Sequence, residues 1–250
     1  MDHAPESKWQ EPTDNKTRAG LGKFLRPNTP YDNYMEAQGI PIYRDIGVRR
    51  VQDLPRKPWK RMGGSGTFIQ LLGTEGLWGC FVVEVHGAGA LNPQKHLYEE
   101  QFLVVEGRGT TEVWAEGNGK KLTFEWQKGS LFAIPMNANH RIINATSSPA
   151  LLLAGNTAPN IMNNFDNEDF IFNCPYQFAD RYSAAEGYFN QGLKRYESGM
   201  QHIWETNFIS DIQTASVDAR EVKGAGVGIT QFEISGNSLI GHLATWPAAH

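Results

Sequence analysis

The alternation of apolar and polar positions changes character along the chain. From Thr67 onward, runs rich in β-branched and aromatic residues follow one another: TFIQLLG, LWGCFVVEV, EEQFLVVEG, TTEVWAEG, KKLTFEWQKG, SLFAIP, HRIINAT and ALLLAG. They recur about every 8–12 residues with glycine between them, which is the rhythm of an all-β sandwich or barrel. GRG at 107–109 and GNG at 117–119 read as compact hairpin turns, because glycine reaches positive φ at little cost.

The flanks behave differently. Residues 1–62 show little periodicity and carry seven prolines, Pro5, Pro12, Pro27, Pro30, Pro41, Pro55 and Pro58, so they read as an extended arm lying on something larger. Phe24, Leu25, Tyr31, Tyr34, Ile40, Ile42 and Tyr43 argue that this arm packs. After Asn156, APNIMNNFDNEDFIF and YSAAEGYFNQGLKRY each read as a short helix, with their aromatic residues as packing contacts. The tail holds a weak internal repeat: LIGHLATWP at 239–247 echoes LWGCFVVEV at 77–85, with Gly241 matching Gly79 at an offset of 162 residues. The resulting division is an arm (1–62), a barrel (63–158), a helical or irregular connector (159–222) and the start of a second barrel (223–250).

Composition narrows the class. The 250 residues are 40% hydrophobic and 20% charged, with a net charge of −4, so there is no global attraction to nucleic acid or an anionic membrane. Arginine and lysine cluster between Arg44 and Arg61, as on a solvated arm. The first residues are polar and acidic, with neither an apolar signal core nor a membrane-length apolar run later. With two distant cysteines, Cys80 and Cys174, read as reduced, partly buried thiols, the expectation is a cytoplasmic protein.

Two segments carry the chemistry: GAGALNPQKHLYEEQFLVVEG (87–107) and GSLFAIPMNANHRIIN (129–144). They resemble the two signature motifs of the cupin superfamily, RmlC-like jelly-roll barrels. His96, Glu100 and Gly107 fall on the second histidine, the glutamate and the closing glycine of the first motif. Gly129, Pro135, His140 and Asn144 fill the second motif in register. Gln94 stands where the first histidine is expected, Asn137 replaces the glycine after Pro135, and Ala88 takes a glycine place between Gly87 and Gly89. The resemblance implies a cupin jelly-roll with a long N-terminal arm and short helices after the barrel. Taken with the weak repeat, it implies the first barrel of a bicupin, or a degenerate remnant of one.

The spacing makes chemical sense by itself. Alternate side chains of a strand share a face, so Gln94, His96 and Glu100 can point into one interior, with His140 facing them from another strand. Two imidazoles and a carboxylate with open positions suit one divalent transition metal per barrel; Fe(II) is favoured, with Mn(II), Ni(II), Co(II) or Zn(II) as alternatives. Gln94 is either a weak fourth ligand or an orienting donor. Tyr98 shares the inner face and is the candidate catalytic proton donor or base; simple packing is the competing reading. Glu99 should face away into solvent, and Arg141 should point outward. His86 and His242, on strands outside the motifs, read as structural.

The leading functional expectation is a dioxygenase acting on a small organic acid, with aromatic acids included. The alternatives are a non-redox metal-dependent lyase, hydrolase or isomerase, and a non-catalytic small-molecule-binding cupin. The partner expected is a small molecule, not nucleic acid or membrane, with a homodimer as the assembly.

Overall fold

The computed structural model describes residues 28–117, 120–190, 194–198, 201–215 and 227–246. The first part of the arm, most of the GNG turn and parts of the connector lie outside the described residues.

All eight β-like runs are strands, numbered in chain order: β3 (Gly64–Leu71), β4 (Gly79–Val85), β5 (Glu100–Glu106), β6 (Arg108–Trp114), β7 (Lys121–Gln127), β8 (Leu131–Ile134), β9 (Asn139–Asn144) and β10 (Ala150–Asn156). The larger sheet runs β3-β4-β10-β5-β8 and the smaller runs β7-β6-β9, giving the two walls of a jelly-roll barrel. On β6 buried and less buried residues alternate, as they do where one face meets a core and the other meets water. β3 and β4 are buried almost throughout, because the barrel interior covers one face and the arm covers the other. The interior is aromatic: Phe102 and Phe132 are stacked with ring centroids 5.4 Å apart.

The arm departs from expectation. Pro30–Ala37 forms a helix, α1, started by a capping box in which Thr29 and Asp32 satisfy each other's backbone N–H groups. Two strands follow, β1 (Ile42–Asp45), parallel to β3, and β2 (Lys57–Trp59), antiparallel to it. Tyr31, Tyr34, Met35, Ile40, Trp59 and Met62 join the main core. The prolines hid this: they interrupt periodicity but sit where a helix begins or a strand runs along an edge.

Downstream, APNIMNNFDNEDFIF is two helices, α2 (Ala158–Phe165) and α3 (Glu168–Asn173), separated by Asp166 in the left-handed region at φ 44. The second expected helix does not form in its described part, where Ala184 and Gly187 at φ 54 and 78 break any helical run. The connector instead contributes β11 (Lys194–Ser198), β12 (Gln201–Thr206) and β13 (Phe208–Ile209), and β13 pairs with β8. With β14 (Gly228–Ile234) and β15 (Ile240–Thr245), β11 and β12 form a second sheet in the order β11-β12-β14-β15.

The weak repeat has a geometric counterpart. β3 and β4 pair Gly66 with Val83, Thr67 with Val82, Phe68 with Phe81 and Ile69 with Cys80. β14 and β15 pair Gly228 with Thr245, Ile229 with Ala244, Thr230 with Leu243 and Gln231 with His242, each residue 162 positions further on. Upstream, β12 runs parallel to β14 as β1 runs parallel to β3. Single 3-10 turns, Val51–Asp53 and Ile212–Thr214, occupy matching places. The residue before each turn has φ/ψ of −146/115 and −153/112, and the residue after has −66/134 and −64/132. Tyr43, Val48, Val51 and Leu54 pack in one apolar cluster, and Trp204, Ile209, Ile212 and Ala215, each 161 positions on, pack in another.

Candidate metal centre

His96, Glu100 and His140 converge inside the barrel. Each offers one ligand atom within 4.8 Å of the others, and all three are at most 3% exposed. Glu100 opens β5, and His140 lies on β9 in the opposite sheet. A two-way backbone bridge joins the motifs, each of Gln94 and His140 donating N–H to the other's carbonyl at 2.9 Å.

The convergence does not come from strand parity alone. Residues 91–99 precede β5 and are largely irregular. The chain bends at Leu97 and Tyr98, and the His96 Nδ1–H donates back to the Tyr98 carbonyl at 2.8 Å. Its other nitrogen, Nε2, faces Glu100 Oε2 3.2 Å away. His140 repeats the arrangement more loosely, with Nδ1 at 3.4 Å from the Ala138 carbonyl. Its Nε2 is buried and has no hydrogen-bond partner among the described residues. Burial, with the neighbouring His96 second, pushes the His140 pKa down to about 3, so the imidazole is neutral and its lone pair is free.

A divalent metal fits this arrangement. An orphaned, fully buried imidazole nitrogen is costly unless something accepts its lone pair. Both histidines hold their other nitrogen against a backbone carbonyl, as metal-bound histidines do. Glu100 is steadied in turn: the Asn156 Nδ2 group donates to its Oε1 at 3.3 Å, and the Asn156 oxygen accepts the N–H of Ala158 at the start of α2. Asn156 went unrecognised in sequence because it lies in ALLLAGN, outside both motifs; a polar residue ending a wholly apolar strand was the available signal.

Gln94 is buried at the edge of the site, and its amide nitrogen donates to the carbonyls of Arg61 and Asn92 at 3.1 and 3.3 Å. The Tyr98 ring lies flat on His96, 3.7 Å between centroids and 5° from parallel. Burial, then the Glu100 charge, raises the Tyr98 pKa well above that of a free phenol, so it is held as a proton donor and not as a base. The enclosed space beside the triad, lined also by Tyr31, Tyr34, Trp59, Phe68 and Phe81, is about 10 Å³, room for one water.

Two of the three motif departures sit where the backbone needs left-handed residues. Ala88 has φ 51 and Asn137 has φ 57, both natural glycine positions. Asn137 tolerates the conformation and uses its amide to bind the Cys174 and Tyr176 carbonyls at 3.1 and 2.6 Å. Asn144 is a clamp, donating to the carbonyls of Val85, His86 and Ser148.

Residues 81–155 match the family described as "Cupin domain". Residues 81–155 are a cupin domain. The cupin fold shown here is an all-β jelly roll, and its two sheets carry the triad between them. Similar solved structures include the oxalate decarboxylase of Lactobacillus farciminis in a formate complex, at 23% identity over 44% of this chain and 32% of that one, with a TM-score of 0.38. Tomato vicilin matches at 19% identity over 44% of this chain and 33% of its own, with a TM-score of 0.37. The chain therefore spans about a third of the length of these proteins. No curated protein matches this sequence.

Other expectations sort by burial. Glu99 is not solvated: it is 4% exposed and anchors the second sheet. The bend at Leu97 and Tyr98 defeats simple alternation there: Tyr98 and Glu100 face the interior, and Glu99 is buried because the turn between β14 and β15 covers it, with Ser238 N–H 2.9 Å from its carboxylate. Arg141, His86 and His242 are exposed and stand outside the site. Cys80 and Cys174 are buried free thiols. Among the described residues, no helix is long and apolar enough to cross a membrane.

Proposed function

We propose that the cupin barrel is a metal-dependent enzyme of the dioxygenase type, acting on a small organic acid. The observation that carries the reading is the buried Nε2 of His140, without a partner among the described residues and converging with His96 and Glu100. His96, His140 and Glu100 would hold one divalent transition metal, Fe(II) by preference, with Mn(II), Ni(II), Co(II) and Zn(II) as alternatives. Such a metal, when bound, supplies Lewis acidity and, if redox-active, electron relay between substrate and dioxygen. The chain's own residues do the rest. Asn156 fixes Glu100, the Tyr98 carbonyl fixes His96, and the Tyr98 phenol stays protonated beside the ligand ring. Aromatic side chains fill most of the interior and exclude water.

The protonated phenol also favours a second reading, a non-redox lyase, hydrolase or isomerase in which Tyr98 gives a proton. A non-catalytic binding cupin is the third. The reading includes a bicupin organisation, supported by the repeated hairpin register, and a homodimer taking a small molecule and neither nucleic acid nor membrane.

Elemental analysis of natively purified protein, with substrate-dependent oxygen uptake across small carboxylic acids, tests the proposal. Stoichiometric iron with oxygen consumption supports it. Turnover without oxygen moves the assignment to the second reading. Stoichiometric metal retained in a folded His140→Ala variant refutes the site.

A further inference from the structure

Arg61 stands between two spaces. It lines the enclosed chamber beside the triad, and it lines an outer basin of about 780 Å³ together with Lys60, Lys95, Glu116 and Glu168. Arg61 and Gln94 are the two residues common to both linings. They are tied to each other, since the Gln94 amide donates to the Arg61 carbonyl at 3.1 Å. The guanidinium lies 3.6 Å over the Phe172 ring and hydrogen-bonds the Tyr34 side chain, so with five N–H donors it keeps others for a further acceptor.

Arg61 is half-buried, and among the described residues no carboxylate forms an ion pair with it. Lys95, its neighbour in the basin, is taken by Glu116 at 3.0 Å. A guanidinium is always charged, and holding one partly desolvated without an anion is unfavourable. Its charge is felt at Tyr98 and His140, beneath the larger effect of burial at each. Glu100 is the only carboxylate among the residues lining the chamber. A dication at the triad together with Arg61 would therefore leave the chamber in excess positive charge.

We infer that Arg61 is the carboxylate-recognition residue of this site, taking a small organic anion from the outer basin and presenting it to the triad. The inference rests on the metal-enzyme reading for what becomes of the anion, and not for its capture.

The test is calorimetric titration of sodium formate, with formamide as the neutral isostere. It uses wild type, Arg61→Lys and Arg61→Met, each metal-free after chelation and again after Mn(II) loading, with metal content measured alongside. Wild type should bind formate and ignore formamide. Arg61→Met should lose about tenfold or more in formate affinity, and Arg61→Lys less, at unchanged metal content. If Arg61→Met does not fold, Arg61→Gln takes its place. Equal formate affinity in the uncharged variant, no formate binding by wild type, or equal binding of formamide overturns the inference. Arg61-dependent formate binding in a protein that takes up no metal leaves the inference standing and removes the enzyme reading. Stoichiometric metal with formate binding indifferent to Arg61 does the reverse.

Discussion

The ring of Tyr98 lies 3.7 Å from the ring of His96 and within 5° of parallel, while the carbonyl of the same tyrosine accepts the His96 Nδ1–H. One residue thus fixes both the plane and the tautomer of a candidate ligand. Tyr98→Phe keeps the stack and the backbone bond, so metal affinity should stay within about twofold. Tyr98→Ala keeps only the bond, and affinity should fall about 10- to 100-fold, the usual cost of losing a group that orients a ligand. Competition titration against a chromophoric chelator measures both, and equal losses in the two variants would remove the stacking argument.

His140 gives the metal-free protein a specific pH dependence. Its pKa is near 6.5 in an unfolded chain and about 3 when buried. Between those values the unfolded state binds the extra proton, so stability rises with pH. His140's contribution is fully present above about pH 6.5 and is lost as the pH falls toward 3. The slope from this one group approaches about 1.4 kcal/mol per pH unit within that window. Urea unfolding at several pH values should show a shallower slope for His140→Gln than for wild type after metal removal. Parallel slopes would show that the imidazole is charged in the fold.

Much of this was legible in the sequence, and the exceptions share a cause. Strand positions were readable because β3 to β10 alternate or run apolar between glycines. The triad was readable because His96, Glu100 and His140 sit in motifs with fixed spacing. What escaped depends on contacts between distant segments. Asn156 reaches Glu100 across 56 positions, Asn137 reaches Cys174 across 37, and Trp59 binds Gln38 from within an arm that shows no periodicity. Glu99 was misread because alternation tells which face a side chain takes, and not whether another sheet covers that face. The repeat was faint in sequence because pairing register constrains backbone positions more tightly than side-chain identity.

Ala88 occupies a left-handed backbone position at φ 51, where a Cβ is disfavoured by roughly 1–2 kcal/mol. Glycine would relieve that strain at a smaller entropic cost in the unfolded chain. Ala88→Gly should therefore stabilise the protein by about 1 kcal/mol and raise the melting temperature by roughly 2–4 °C. Scanning calorimetry on the metal-free protein decides it, and a lower melting temperature would show that the turn is unstrained.

Glu99 joins the barrel to the second sheet. Its carboxylate accepts the backbone N–H of Ser238 at 2.9 Å, the N–H of Leu239 at 3.2 Å and the Ser238 hydroxyl at 2.6 Å, and Arg181 lies 3.7 Å away. Hydrogen bonds to a buried charge are worth more than neutral ones, and Gln presents one oxygen where Glu presents two. Replacing Glu99 by Gln also leaves an amide N–H₂ group facing donors. Glu99→Gln should cost about 2–4 kcal/mol, concentrated where the hairpin of β14 and β15 meets the barrel. Hydrogen exchange should then show faster exchange across residues 228–245, while β5 and β9, which carry the triad, keep their protection. Uniform loss of protection would mean that the second sheet and the barrel unfold as one unit, and that Glu99 is a core charge and not a clasp between two.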